Sequence, residues 1–231
     1  MRIAILSDIH GNIFALQAVL KEISKKKVDK FFFLGDLTGY YYHPKDVYNL
    51  LLENQAFMIL GNHEQILFDC IDGIINPEDI RQRYGSGHRI ALEQFSTSEI
   101  ESLRELTESH TEILNGTKLS FHHGAPFDKN FYLYSDTDKE ILTKCDSDAL
   151  FTFVGHSHYP FVSKLSKTTL VNVGSVGQSR QMGGYASWCL LNLNNNVLEM
   201  HSTPYDVTPL LSLVSKYDPE IIYLNNILKR R

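Results

Sequence analysis

Five short fragments rich in aspartate, histidine and asparagine recur along the chain, and their side chains are of the kind that bind divalent transition metals. The fragments are Asp8-Ile9-His10, Gly35-Asp36, Gly61-Asn62-His63-Glu64, His122-His123-Gly124 and Gly155-His156-Ser157-His158. Carboxylate and imidazole groups suit Mn, Fe, Co, Ni or Zn, and no fragment contains a cysteine that would indicate a closed structural zinc site. The set therefore predicts an open, catalytic metal centre.

The spacing within the fragments predicts how the ligands share the metals. Asp8 and His10 are separated by one residue, so in an extended segment both side chains point the same way and can bind one ion, and His156 and His158 repeat this pattern. Asp36 is a lone carboxylate with two oxygens to share, which makes it the candidate bridge between two ions about 3.5–4 Å apart. Such a pair can hold a hydroxide and polarise a phosphoryl oxygen, so the predicted chemistry is phosphoester hydrolysis.

The elements that must position these fragments are visible as short apolar runs. Residues 3–6, 31–34, 57–60 and 151–154 are apolar and each directly precedes a fragment, as expected of buried strands. Open α/β sheets place their ligand crevices at the carboxyl ends of the strands. We therefore expect the five fragments to converge at one edge of a sheet.

The first half of the chain has the pattern of alternating strands and helices. A helical repeat over residues 13–23 follows the first strand, and Pro44 begins a second helix, which predicts parallel strands joined by right-handed crossovers. Residues 65–110 are predicted to be a helical insertion, with a cap at Asn76-Pro77 and a capping box at Ser98-x-x-Glu101.

The second half is predicted to be mostly a β-meander followed by a short C-terminal helix at 219–229. Its strands are expected at residues 118–121, 150–154, 161–165, 169–173, 187–193 and 197–201, with hairpin turns near Lys167 and at Asn194-Asn195-Asn196. The two halves together favour an α/β fold, a four-layer α-β-β-α sandwich of two mixed sheets. At 231 residues, we expect one domain spanning 1–231.

Composition narrows the partners and the compartment. The formal charge of −5 argues against strong binding to duplex nucleic acid. Three well-separated cysteines without a C-x-x-C spacing indicate a reduced, intracellular protein. The first apolar run is too short for a signal peptide and no run approaches a membrane span, so we expect a cytoplasmic protein without membrane association.

The ordered fragments resemble the calcineurin-like metallophosphoesterase superfamily over about residues 3–201, which implies the metallo-dependent phosphatase fold and two divalent ions, manganese first among them. The resemblance also implies that His63 is the general acid, and that His123, which directly precedes a glycine, is a ligand in preference to His122. By the same resemblance the first ion is bound by Asp8, His10, Asp36 and His158, and the second by Asp36, Asn62, His123 and His156.

Three segments are similar to the bacterial and archaeal phosphodiesterase branch of that superfamily. They lie at residues 35–40, 155–160 and 172–178, although Val173 and Ser179 stand where that branch usually has prolines. The Ser/Thr protein phosphatases instead carry Asp-Arg-Gly after their Gly-Asp, where this chain has Leu37-Thr38-Gly39-Tyr40. Because the phosphate-clamping arginine is missing, the resemblance favours diesters over phosphoprotein monoesters, with Arg180 as a partial substitute.

Two further features are candidate contacts for a small phosphoester substrate. The Gly11-Asn12 pair suits either a phosphate oxygen or plain helix capping. Tyr40 and the two tyrosines after it are expected near the mouth of the site, where they either stack a nucleobase or pack at the rim. These tyrosines and the C-terminal helix are also candidate contacts for an oligomer.

The leading hypothesis is a dinuclear metal-dependent phosphoesterase acting on small phosphodiesters, nucleotides among them, by attack of a metal-bridging hydroxide. The alternatives are hydrolysis of diadenosine polyphosphates or of phosphoproteins. A non-catalytic protein-binding scaffold is a third hypothesis, since the retromer subunit uses the same sandwich. Scaffold proteins with this fold have usually lost metal ligands, whereas here every predicted metal ligand is present.

Overall fold

A computed structural model describes the whole chain, residues 1–231, and its first sheet has five strands in the order β10-β9-β1-β2-β3. The strands are β1 (Arg2–Leu6), β2 (Lys30–Phe33), β3 (Phe57–Met58), β9 (Tyr185–Asn192) and β10 (Val197–Pro204). The pairs β1–β2 and β2–β3 are parallel, whereas β9 is antiparallel to both β1 and β10. The parallel strands predicted from the first half are therefore confirmed.

The second sheet also has five strands, in the order β4-β5-β6-β8-β7. They are β4 (Ser109–Leu114), β5 (Thr117–His122), β6 (Phe151–Val154), β7 (Phe161–Lys164) and β8 (Thr169–Asn172). The pairs β5–β6 and β6–β8 are parallel, and the hairpin β9–β10 belongs to the first sheet. The predicted β-meander was wrong, because strand spacing along the chain indicates neighbours in sequence and not partners in space.

The two sheets pack face to face around an apolar layer. Ile3, Ile5 and Phe32 point inward from the first sheet and pack with Phe121 and Phe153 of the second. The rings of Phe32 and Phe121 stack with their centroids 4.1 Å apart. Alternation along the strands turns the other side chains of β1 toward a helical layer, so the predicted sandwich of two mixed sheets is confirmed.

Nine helices cover the sheets and form the rim of the molecule. They are α1 (Ile13–Ile23), α2 (Pro44–Glu53), α3 (Asn62–Ile71), α4 (Pro77–Tyr84), α5 (Gly87–Gln94), α6 (Thr97–Arg104), α7 (Lys139–Thr143), α8 (Thr208–Tyr217) and α9 (Ile222–Leu228). None of these helices has the length and apolar character needed to cross a bilayer.

The helical stretch predicted for residues 65–110 is confirmed in part. The Asn76 side chain caps α4 by accepting a hydrogen bond from the Glu78 backbone N–H. The capping box is formed by Ser96 and Glu99, two residues before the predicted pair. The last residues of the stretch are also not helical, because the chain enters β4 at Ser109 and pairs with β5, which local periodicity could not reveal.

The C-terminal segment is anchored by a fully buried carboxylate. Asp218 accepts hydrogen bonds from the Tyr42 hydroxyl at 2.9 Å, the Ser86 hydroxyl at 2.6 Å and Arg81 Nε at 3.1 Å. It thereby joins the end of α8 to the α4–α5 corner and to the tyrosine segment. The prediction for the C-terminal helix holds for α9, but α8 was not foreseen from the sequence.

The three tyrosines at 40–42 are buried, so packing is the one of their two predicted roles that the structure shows, and the prediction of an oligomer contact was wrong. Their exposed fractions are 5% for Tyr40, 0% for Tyr41 and 3% for Tyr42, and they pack against α8 and α9. The sequence could not show this, since the covering helices lie about 170 residues further along the chain.

Candidate metal centre

The side chains predicted as metal ligands lie together beyond the carboxyl ends of β1, β2, β5 and β6. The first group, whose ligand atoms all lie within 4.8 Å of one another, contains Asp8, His10, Asp36 and His158. The second group, defined in the same way, contains Asp36, His123 and His156. The amide oxygen of Asn62 is 2.9 Å from His123 Nε2, so it borders the second group. Asp36 belongs to both groups.

Sharp turns at the strand ends bring these side chains together. Five of the residues have left-handed backbone, with φ of 52° to 65°: Asp8, His10, Asp36, His156 and His158. The expectation that Asp8 and His10 are neighbours in an extended segment was therefore wrong, and a turn places both in the first group. Non-glycine residues in this region are strained by about 1–2 kcal/mol each.

Each of the four imidazoles in the two groups uses one ring nitrogen on a backbone carbonyl and points the other inward. The nitrogen–oxygen pairs are His10 Nδ1 and Thr38 O at 2.8 Å, His123 Nδ1 and Leu34 O at 2.7 Å, His158 Nδ1 and Gln178 O at 2.8 Å, and His156 Nε2 and Asn130 O at 3.1 Å. A ring nitrogen beside a carbonyl oxygen must carry the proton, because the oxygen only accepts. The inward nitrogen of each neutral ring is then a lone-pair donor.

The inward nitrogens face one another in pairs. His10 Nε2 is 3.1 Å from His158 Nε2, and His123 Nε2 is 3.1 Å from His156 Nδ1. Two lone pairs cannot form a hydrogen bond, but both can bind a cation placed between them and the carboxylates. Asp8 Oδ1 is also buried without a hydrogen-bond partner in the protein. The donor set therefore fits two divalent ions that share Asp36.

Burial and neighbouring charges shift the pKa values of the side chains in the two groups. Burial raises the pKa of Asp8, but His158 and the other imidazoles lower it well below its usual value. Burial raises the pKa of Asp36, and His123 only partly offsets this effect. Burial lowers the pKa of His123, yet Asp36 and Asp8 raise it overall to about 9. A bound divalent cation favours the deprotonated form of every one of these groups.

Glu64 holds two of the fragments to each other, a role that the sequence analysis missed. Its buried carboxylate accepts backbone hydrogen bonds from Asp36 at 2.8 Å, from Leu37 at 2.9 Å and from Gly61 at 2.9 Å. Burial and the nearby Asp36 raise its pKa to about 7. The signal was available, because a glutamate three residues after a helix N-cap is the capping-box position.

His63 lies beside the first group and is enclosed by rings. Its backbone N–H donates to Asp36 Oδ1 at 2.8 Å, and its Nδ1 is buried without a partner. The ring centroids around it lie at 4.7 Å for His10, 4.7 Å for Tyr84, 5.1 Å for Tyr40 and 5.1 Å for His88. Tyr84 and His88 were not predicted, since they come from the helical stretch more than 20 residues away.

Arg180 lies at the edge of the first group, among aromatic rings. Its guanidinium is 5.7 Å from the ring centroid of Tyr132, which in turn stacks on His156 at 4.0 Å. Tyr40 and Tyr223 also lie beside the guanidinium. None of the ion pairs of the chain involves Arg180. We call Arg180 with Tyr40, Tyr84, Tyr132 and Tyr223 the aromatic wall.

Asn12 was predicted either to contact a phosphate oxygen or to cap a helix, and in the structure it caps α1. Its side-chain oxygen accepts a hydrogen bond from the Ala15 N–H at 3.1 Å, and its amide donates to Gly177 O at 2.7 Å and to the Tyr205 hydroxyl at 3.1 Å. The side chain is fully buried. The expectation that Asn12 contacts substrate is therefore corrected, because its hydrogen-bonding groups are already used.

His122 is directed away from the two groups. Its Nε2 is 2.8 Å from the Ser120 hydroxyl, and burial lowers its pKa to about 4. Because neighbouring residues of a strand point to opposite faces, His122 and His123 cannot both reach the same centre. His123 is the one that does.

The sequence of the chain places this site in a known family. The sequence model of the calcineurin-like phosphoesterase superfamily domain matches residues 1–196. The chain belongs to this superfamily. Membership identifies the protein as a hydrolase that acts on phosphoester bonds, and the two groups of buried aspartate and histidine agree with a metal-dependent member.

Proteins of similar length share the sequence or the fold of this chain. An uncharacterized protein of Methanocaldococcus jannaschii is 30% identical over 225 residues, covering 89% of this chain and 88% of the relative. The crystal structure of a metallophosphoesterase from Sphaerobacter thermophilus aligns with a TM-score of 0.81 at 22% identity, over 99% of this chain and 98% of that one. A hypothetical protein from Pyrococcus horikoshii aligns with a TM-score of 0.83 at 18% identity, over 100% and 99%.

Proposed function

We propose that this protein hydrolyses small phosphodiesters with two divalent transition-metal ions, manganese first among the candidates. The observation that carries the proposal is the pairing of inward imidazole nitrogens at 3.1 Å around a shared aspartate. With the rings neutral, this arrangement directs their lone pairs toward the carboxylates, where a divalent cation can bind both kinds of ligand. A single structural ion would not require two groups joined by one carboxylate.

In this proposal each ion has four protein ligands. The first ion is held by Asp8, His10, Asp36 and His158, and the second by Asp36, Asn62, His123 and His156. When bound, the pair supplies Lewis acidity and lowers the pKa of water, so that a hydroxide nucleophile is present at neutral pH. The protein contributes the fixed orientation of the ligands through the backbone carbonyls behind each imidazole.

His63 is the proposed proton donor to the leaving-group oxygen. Its Nδ1 is buried against Gly39, where an added Cβ would collide with the imidazole, so Nε2 is the nitrogen left to face a substrate. The hydrogen bond from its backbone to Asp36 ties the ring to the proposed bridging ligand. Burial and the neighbouring imidazoles lower the pKa of His63 well below its ordinary value. In this proposal the negative charge of the bound phosphoester raises that pKa again, so that the ring carries the proton it donates.

The preference for diesters rests on the positive charges near the site. Phosphate monoesters carry two negative charges, and their hydrolases commonly use a bidentate arginine to bind them. The four residues that follow Asp36 are Leu37, Thr38, Gly39 and Tyr40, and none of them is an arginine. Arg180 is the cation that remains beside the first group, and one guanidinium together with two ions is sufficient for a singly charged diester.

The test is hydrolysis of bis-p-nitrophenyl phosphate against p-nitrophenyl phosphate. The metal-stripped protein is assayed alone and after separate addition of Mn, Ni, Co, Zn and Mg. We expect metal-dependent cleavage with preference for the diester. A preference for the monoester would refute the diester proposal. Metal binding without cleavage of either compound would refute hydrolysis of simple esters and would favour the scaffold hypothesis.

A further inference from the structure

A pocket of about 340 Å³ opens directly beside the second ligand group, and the proposed chemistry of the metals does not use it. Asn62 and His156 form the wall that it shares with the candidate metal centre. The rest of the lining includes Arg83 and Tyr84 from the end of α4, and Lys129 and Tyr132 from the loop after β5. The pocket therefore adjoins two of the proposed ligands of the second ion.

The charge of the pocket is opposite to that of the molecule. The chain carries a formal charge of −5, yet the lining contains two cations and no carboxylate. Lys129 forms an ion pair with Glu108, which lies outside the lining. The exposed Arg83 takes part in none of the ion pairs of the chain. Arg83 is thus free to bind an anion, and a guanidinium does so with two parallel hydrogen bonds.

The aromatic residues of the pocket connect Arg83 to the candidate metal centre. The Tyr132 ring stacks on the proposed ligand His156 at 4.0 Å, and the Tyr84 ring meets the proposed proton donor His63 edge-on at 4.7 Å. The Arg83 guanidinium lies over the Tyr84 ring, 4.9 Å from its centroid. Arg83, Tyr84 and His63 are therefore packed one against the next, from the pocket to the proposed proton donor of the leaving group.

We propose that this pocket binds a second phosphate group of the substrate, on the leaving-group side of the scissile phosphorus. The inference rests on the proposed function, and it names the substrate class as phosphodiesters whose leaving group carries a further phosphate. Simple diesters leave Arg83 without an anionic partner. The second phosphate is bound by Arg83, with Lys129 adding positive charge.

The test is calorimetric titration of the metal-loaded protein with adenosine monophosphate and adenosine diphosphate, which differ by one phosphate. We expect the diphosphate to bind about 10- to 100-fold more tightly, the usual contribution of a hydrogen-bonded charge pair. Arg83→Ala should abolish most of this difference, and Arg83→Lys should restore part of it. Arg89→Ala is the matched control, because Arg89 lies on the next helix and pairs with Glu93, and it should leave the difference unchanged.

Binding is measured without turnover, so this result is separable from the hydrolysis assay. Equal affinity of the wild-type protein for the two nucleotides, or an unchanged difference in Arg83→Ala, would overturn the second-phosphate pocket. Absence of diester hydrolysis would refute the proposed function and would leave the binding result standing on its own. Chelation of metal by the nucleotides is the same for all variants and cancels in the comparison.

Discussion

The two ligand groups and the aromatic wall lie side by side, but the chain builds them in different ways. Each ligand follows a strand by a few residues, and each imidazole is fixed by a backbone carbonyl. The wall takes Tyr40, Tyr84 and Tyr132 from three separate segments, with Arg180 and Tyr223 from the last quarter of the chain. The difference teaches that the ligand groups are encoded by local sequence, whereas the aromatic wall exists only in the folded chain.

Removal of the shared ligand should have the largest effect on activity. It should disrupt the two ligand groups and leave the aromatic wall unchanged. Asp36→Ala is expected to lose both ions, because Asp36 belongs to both groups, and to lower hydrolysis by about 10³-fold or more. Metal content by mass spectrometry checks this prediction. Asp148→Ala, which changes an exposed ion pair with Lys118, is the control. Retention of two ions by Asp36→Ala would refute the shared role.

Removal of the proposed proton donor should separate catalysis from metal binding. His63→Ala is expected to retain both ions and to lower kcat by about 10²- to 10⁴-fold, the usual contribution of general acid catalysis. The measurement is steady-state hydrolysis of bis-p-nitrophenyl phosphate together with metal content. An unchanged kcat would exclude His63 from the mechanism.

His88, which stacks on His63, should make stability depend on pH. Burial lowers its pKa to about 4, against about 6.5 in the unfolded chain. Between these pH values the unfolded chain binds a proton that the folded chain does not, so stability falls as the pH falls. Relative to His88→Phe, the wild-type protein should lose about 3 kcal/mol between pH 6.5 and pH 4.

Urea denaturation of both proteins at several pH values measures this loss. The titrations of the histidines that do not contact His88 cancel in the comparison. Parallel stability curves for wild type and His88→Phe would contradict the assignment of a depressed pKa to His88.

A change in the aromatic wall should have the smallest effect and leave the ligand groups intact. Arg180→Ala is expected to raise KM for diesters by about 10-fold, because one charge-assisted hydrogen bond to phosphate is lost, and to keep the metal content. Arg104→Ala, which removes an arginine paired with Asp72 on another face, is the control. Loss of metal in Arg180→Ala would show that the wall also supports the ligands.

The sequence predicted the parts of the molecule that depend on neighbours along the chain. The strands before Asp8, Asp36 and His156 were visible because apolar runs end at polar fragments. The cap at Asn76 was visible because a proline follows it. These signals are local, so they remain readable without knowledge of the fold.

The parts that were missed depend on contacts between distant segments. The β9–β10 hairpin pairs with β1 across more than 180 residues, and nothing within the hairpin indicates that partner. The burial of Tyr41 requires α8 and α9, and the stacking of His88 on His63 requires the corner between α4 and α5. Tertiary packing decided these features, and a pattern along the sequence does not record it.

The left-handed backbone of the five ligand residues makes the free energy of folding less favourable at the site. Glycine adopts this conformation without the penalty of about 1–2 kcal/mol that other residues incur. At His156 and His158 the packed ring and its hydrogen bond to a backbone carbonyl offset this penalty. The surrounding structure thus holds the ligands in place before any cation arrives, so metal binding requires little further ordering of the chain.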